Sequence, residues 1–289
     1  MIKGTITASI VFFLLFLVYA SVQAHAYQDT VQKLTRLSQK NEELQKEKEL
    51  LTIEYQKAQE ELEHIKKSKP QSQADPKKKI AYLTFDDGPS TNTAAVLSIL
   101  QRYKVKATFF VIGNETEAGK QMYKRIVAEG HAIGLHSYTH DYRKIYASPA
   151  AFHNDFTRIR NLVHSTTGLT PTITRFPGGS NNHVSRKYGG RTIMQTLIRE
   201  MKQKGYQYFD WNVDSTDASR ILQSREMIVR SVLQGSKNKQ KAIILMHDSQ
   251  VKTTTVEALP AIIEGLVKQG FSFDIITAQS FTYQFASAS

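Results

Sequence analysis

Six short apolar runs divide the C-terminal two-thirds of the chain: 80–85 (IAYLTF), 107–112 (ATFFVI), 131–136 (HAIGLH), 206–211 (YQYFDW), 242–247 (AIILMH) and 271–277 (FSFDIIT). Each is too short for a helix, and rich enough in β-branched and aromatic residues to be a buried strand. Between them, stretches near 92–103, 116–129, 149–167, 191–204, 223–235 and 255–268 carry apolar residues at helical spacing. Strand and helix therefore alternate over residues 80–289, which predicts an α/β fold built on a parallel sheet, either a barrel or a doubly wound sheet. There is no G-x-G-x-x-G or Walker A sequence to favour the nucleotide-binding form.

The N-terminal third has other periods. Residues 1–26 carry no charged side chain after Lys3 and include IVFFLLFLVYA, so the pattern predicts either a signal peptide cleaved near Ala24 or Ala26 or an uncleaved membrane anchor. Over 27–67 a heptad seam runs through Leu34, Leu37, Asn41, Leu44, Lys48, Leu51, Tyr55, Ala58, Leu62 and Ile65, polar only at Asn41 and Lys48. A seam kept that long predicts a coiled-coil stalk and a homodimer formed through it. Residues 68–79 (SKPQSQADPKKK) contain two prolines and no apolar face, and read as a linker.

Composition narrows the chemistry. With no cysteine, thiolate nucleophiles, disulfides and Cys-ligated zinc are excluded. The net charge of +12 lies mostly in residues 80–289 and suits an acidic polymer; export makes a cell wall a better partner than nucleic acid.

In parallel α/β folds the C-terminal strand ends form the active face, and ionisable residues collect there. Asp86 and Asp87 follow the first run, His136 ends the third with His140 four residues on, Asp210 and Asp214 end the fourth, and His247 and Asp248 end the fifth. Two His and one carboxylate make a common catalytic metal set, which Asp87, His136 and His140 satisfy. Asp86 would then accept a proton from water, and the dication would offset the repulsion between adjacent carboxylates. A phosphohydrolase using His247 and Asp248 for a second metal is an alternative reading of the same residues.

TFDDGP, HSYTH, RFPGG, DWNVDSTD and LMH, in that order between Thr84 and His247, resemble the five motifs of the polysaccharide deacetylase family, carbohydrate esterase family 4, the NodB-homology domain. The resemblance implies a distorted (β/α) barrel and a metal-dependent hydrolase that removes acetyl groups from a polysaccharide, with N-acetylglucosamine of peptidoglycan the foremost substrate. Exopolysaccharide, chitin oligomers and a non-catalytic carbohydrate-binding surface protein are the alternatives. By position it implies Asp86 as general base, His247 as general acid, and Asp87, His136 and His140 as ligands of Zn²⁺ or of Co²⁺, Ni²⁺ or Mn²⁺. It further implies that Arg175 orients the catalytic Asp, Asp214 tunes the acid, the Gly178 N–H stabilises the oxyanion, and Trp211 and Leu245 wall the acetate pocket. Two departures stand out: the family more often has an aromatic residue where Gly178 stands, and Asp-Trp where this chain has Asp217-Ala218. The implied location is extracytoplasmic, secreted or held at the membrane.

Overall fold

A computed structural model describes the backbone of residues 2–68 and 78–287, and the side chains of the N-terminal helix from residue 21 to 59 apart from Val22, Ala26 and Ala58. The chain divides into two compact units, Met1–Ala74 and Asp75–Ser289.

The first unit is one helix, α1 (Ile2–Ser68). Its heptad leucines stand in solvent, Leu34 at 62% and Leu51 at 59% exposure, because a single helix has nothing on which to bury a stripe. The apolar segment expected to direct export lies largely outside the described side chains, as do seam positions Ala58, Leu62 and Ile65. Among the described residues no helix is long and apolar enough to cross a membrane.

The second unit begins with β1 (Lys79–Asp86), α2 (Thr91–Tyr103), β2 (Thr108–Val111), α3 (Glu117–Ala128) and β3 (Ala132–Leu135). It continues through α4 (Tyr142–Ile145), α5 (Pro149–Thr167), β4 (Ile173–Thr174), α6 (Arg186–Gly189), α7 (Ile193–Gln203) and β5 (Gln207–Tyr208). Last come β6 (Val213–Asp214), a 3₁₀ turn at Asp217–Ser219, α8 (Arg225–Ser236), β7 (Lys241–His247), α9 (Thr253–Lys268) and β8 (Phe271–Phe273). Helix starts follow local chemistry. The Ser90 hydroxyl accepts the Asn92 N–H to open α2, and Ser148 followed by Pro149 opens α5.

The strands are parallel, in the order β5-β4-β3-β2-β1-β7-β6, with β8 added beside β1. β5 and β6 stand at the two ends of the series and, among the described residues, do not pair with each other, so the α/β barrel is incomplete. The two-residue strands β4 and β6 escape sequence reading because two residues show no period.

Strand parity decides what faces inward. In β1, Ala81, Leu83 and Phe85 join the large core beneath the helices. Tyr82 belongs to a second, smaller cluster with Phe110, Ile173, Phe209, Ile243 and Ile276. Thr84 and Asp86 share the side of Tyr82, because successive side chains alternate across a strand. β7 runs in register with β1, pairing Tyr82 with Ile243, Thr84 with Leu245 and Asp86 with His247. The aspartate and the histidine thus reach the same face of neighbouring strand ends.

Candidate active site

The turn after β1 is held in an unusual backbone. Asp87 lies in the left-handed region (φ 71°), as does His140 (φ 52°), a conformation that short polar and imidazole side chains adopt more readily than bulky ones. These two left-handed residues bring Asp87 Oδ1 to 3.5 Å from His136 Nε2 and 3.3 Å from His140 Nε2. The His136 and His140 rings are stacked with centroids 5.2 Å apart. Among the described residues these three form a group whose donor atoms all lie within 4.8 Å of one another.

The set fits a divalent cation. Asp87 Oδ1 is buried and has no hydrogen-bond partner, a costly state for a carboxylate oxygen unless something positive meets it. His136 Nδ1 donates to the Arg175 carbonyl at 2.7 Å, leaving the Nε2 lone pair free for coordination. Burial pushes the His136 pKa down to about 3, so the ring is a neutral ligand at physiological pH.

Asp155, on α5, shapes the loop that carries both histidines. Its carboxylate accepts hydrogen bonds from Ser137 Oγ (2.7 Å), Tyr138 N (2.6 Å), Thr139 N (2.9 Å) and Thr139 Oγ1 (2.7 Å). The sequence reading passed over it, although a signal existed: Asp155 falls on the apolar stripe of α5 with Phe152, Phe156 and Ile159, where a lone carboxylate has to find buried donors. Replacing Asp155 by Ala is expected to weaken metal binding by about 10–100-fold. Titration of the purified protein with Zn²⁺ against a chromophoric chelator measures this without reference to turnover.

Asp86 is 3% exposed and receives Arg175 Nη1 at 2.9 Å. Arg175 is wholly buried, and its remaining donors meet Thr84 Oγ1 (2.8 Å) and the carbonyls of Phe209 (2.9 Å) and Asp210 (3.2 Å). Burial raises the Asp86 pKa by more than Arg175 and the nearby His247 lower it, which makes this carboxylate a better base than a free one.

His247 is oriented by Asp217 rather than by Asp214, a correction to the sequence reading. Asp214 is exposed, and its carboxylate accepts the Thr216 N–H at 2.7 Å. Asp217 is buried: Oδ1 receives His247 Nδ1 at 2.7 Å, while Oδ2 receives the His247 N–H (2.8 Å) and Thr255 Oγ1 (2.9 Å). The turn that intervenes, with Thr216 left-handed at φ 61°, lifts Asp217 over the β7 end. Burial opposes charge on both partners, but their mutual bond outweighs it, holding Asp217 below the usual carboxylate range and His247 up at about 9.

The other expected residues take defined places. Leu245 is 5% exposed, on the same strand face as His247 and below it. Trp211 is half-buried, its ring 5.7 Å from the Arg175 guanidinium. Gly178 has φ 78°, and a Cβ there would meet the Tyr142 hydroxyl at 2.7 Å, so Tyr142 fills the space a side chain at 178 would need. That accounts for glycine where an aromatic is usual. Asp248 packs under Gly88, is fully buried, takes a hydrogen bond from Thr93 Oγ1 at 2.5 Å, and is pushed by burial up to about 7. Among the described residues the group of donors close enough to hold a metal is Asp87, His136 and His140, and it includes neither His247 nor Asp248.

The likeness to known proteins follows this geometry. The polysaccharide deacetylase family model matches residues 73–208. A peptidoglycan-N-acetylglucosamine deacetylase of Bacillus cereus is 33% identical over 207 residues, covering 70% of this chain and 71% of the relative. A putative polysaccharide deacetylase of Bacillus subtilis is 34% identical over 206 residues, 68% of this chain and 67% of its own. The crystal structure of the catalytic domain of peptidoglycan N-acetylglucosamine deacetylase from Eubacterium rectale superposes with a TM-score of 0.69 at 36% identity, covering 74% of this chain and 95% of that one. In sequence over most of its length, and in the fold that sets Asp86 against His247 beside an Asp-His-His cluster, the chain belongs to the polysaccharide deacetylase family.

Proposed function

We propose that this chain hydrolyses the N-acetyl groups of N-acetylglucosamine in peptidoglycan, with a divalent metal, foremost Zn²⁺, held by Asp87, His136 and His140. The observation that carries the reading is the facing of Asp86 and His247 across the β1–β7 register at the edge of that cluster. Relatives named as peptidoglycan deacetylases support the substrate.

Amide hydrolysis needs an activated water, a site for the charge that develops on the carbonyl oxygen, and a proton for the departing nitrogen. A divalent cation supplies Lewis-acid polarisation and lowers the pKa of water in the site. Asp86, its carboxylate steered by Arg175, takes the proton as the water oxygen bonds to the acetyl carbon. The Gly178 N–H offers a hydrogen bond to the carbonyl oxygen as it becomes negative. His247, protonated and fixed through Nδ1 by Asp217, presents Nε2–H to the nitrogen; the C–N bond breaks, and acetate and a free amine leave. Trp211 and Leu245 bound the space for the methyl group. Acting on the wall requires export, which the apolar segment of residues 1–26 would provide, by cleavage or as an anchor. The exposed heptad leucines of α1 support its pairing with a second copy.

The test is acetate release by the full chain from peptidoglycan and from chitin oligomers, after chelation and again after Zn²⁺ is restored. Metal-restored release, greatest on peptidoglycan, is the expected result. No release from any acetylated glycan by the folded, metal-loaded protein would leave a carbohydrate-binding protein as the better reading.

The His247–Asp217 pair sets a pH limit. Because His247 is raised above its ordinary value near 6.5, its acid form persists at neutrality, and activity should fall as pH rises through about 9. The stability this pair contributes through His247 is likewise complete below about pH 6.5 and lost as pH rises through about 9. Asp217→Asn removes the charge that raises His247, and the alkaline limb of kcat against pH should move down towards about 6.5.

A further inference from the structure

We propose that the C-terminal segment 281–286 forms, with Trp211, an aromatic platform that binds the glycan chain beside the sugar being deacetylated; this rests on the deacetylase reading above. The segment, FTYQFA, carries no charge. It is fastened to Asp210 and Ser180, the neighbours in sequence of Trp211 and Gly179. The Asp210 N–H donates to the Tyr283 carbonyl at 2.9 Å, the Phe285 N–H to the buried Asp210 carboxylate at 2.7 Å, and the Ala286 N–H to Ser180 Oγ at 2.9 Å. The Asp210 carboxylate also takes Ser180 N (2.8 Å) and Ser180 Oγ (2.5 Å), so one buried acid ties this segment to the Gly178–Ser180 turn.

The fastening places rings in a row. Phe285 meets Trp211 edge-to-face with centroids 4.9 Å apart, and Tyr283 meets Phe285 likewise at 5.8 Å. Tyr283 and Phe285 each keep more than a third of their surface in water, at 38% and 37%. A Cβ at Gly179 would stand 3.2 Å from Trp211 and 3.3 Å from Phe285, so the row begins against the Gly178–Ser180 turn.

Rigid, uncharged, partly wet rings that continue an active-site wall suit a pyranose. One face of a β-linked sugar presents C–H groups, which are apolar and slightly positive, and the face of an aromatic ring is apolar and negative. Contact removes apolar surface from water on both sides without burying a hydroxyl. A neutral row inside a basic domain also favours the sugar backbone of the polymer over its charged substituents.

The chain has one tryptophan, Trp211, which makes its fluorescence a local reporter. The full chain, chelated so that nothing is turned over, is titrated with N-acetylglucosamine oligomers of increasing length. Quenching that tightens with length is expected. Phe285→Ala and Tyr283→Ala should each weaken binding of the longer oligomers by about tenfold, roughly 1.4 kcal/mol, and leave the disaccharide unaffected. Phe285→Tyr should keep wild-type affinity while Phe285→Leu, which retains apolar bulk but not the ring, should not, and matching thermal melts separate this from unfastening of the segment. Wild-type affinity for long oligomers in both alanine variants, or equal affinity in the Leu and Tyr variants, would overturn the platform. Acetate release with length-independent binding defeats the platform alone. Length-dependent, Phe285-sensitive binding without acetate release upholds it and defeats the reaction.

Discussion

Asp86→Asn should lower kcat for acetate release by about 10²–10⁴-fold while Zn²⁺ affinity stays within a few-fold of wild type. The amide keeps the shape of the carboxylate and can still accept from Arg175 Nη1, now 2.9 Å from Asp86 Oδ1, but it has no basic lone pair for a proton. Asp87 Oδ1 is the carboxylate oxygen nearest the histidines, 3.5 Å from His136 Nε2 and 3.3 Å from His140 Nε2 against 4.0 Å for Asp86 Oδ2 from His136 Nε2, so the three metal donors keep their chemistry. The comparison variant is Asp87→Ala, which takes away the one carboxylate of the donor set and should abolish both metal uptake and release. Metal content by mass spectrometry, read beside the rate, distinguishes the two. If Asp86→Asn lost its metal as well, the division of labour between the adjacent aspartates would be wrong.

Arg175→Met should cost the domain about 3–5 kcal/mol, because it leaves Asp86 charged, buried and unpartnered. Four groups lose their donor at once: Asp86 Oδ1, Thr84 Oγ1 and the carbonyls of Phe209 and Asp210. For a domain of this size that corresponds to a fall in Tm of roughly 10 °C. Part of the loss is electrostatic and part is packing, since the guanidinium also lies 4.2 Å from the centre of the Phe110 ring. The double variant Asp86→Asn with Arg175→Met tests the electrostatic share. Removing the charge along with its partner should restore part of the stability, and a coupling energy near zero by thermal melts would show that Arg175 acts through packing alone.

How far such a site can be read from sequence depends on which interactions are local. That Asp86 and His247 stand at one rim was legible because each closes an apolar run, and a run in a parallel sheet delivers its last polar residue to one rim. His136 and His140 were legible as a pair at a strand end. Asp214 was misread for Asp217 because both lie within one polar stretch of eight residues, and nothing in residue type tells which carboxylate the turn at Thr216 lifts towards β7. Asp155 left a trace, a charge on an apolar helical stripe, but its partners lie across the fold from it in the His loop. The segment 281–286 left none, because what gives it a place is hydrogen bonding to Asp210 and Ser180, about 75 and 106 positions away in sequence.

The sequence by itself determined the alternation of strands and helices, the chemistry available at the strand ends and the family. Periodicity and residue type are properties of adjacent positions, and they survive without a third dimension. Only the tertiary structure decided that β1 and β7 are neighbours in the register that sets Asp86 against His247, that Asp217 and not Asp214 bonds the His247 ring, and that the barrel stays open between β5 and β6. Those outcomes rest on contacts between distant segments, whose energies come from burial and from the pairing of buried polar groups once the chain has closed on itself.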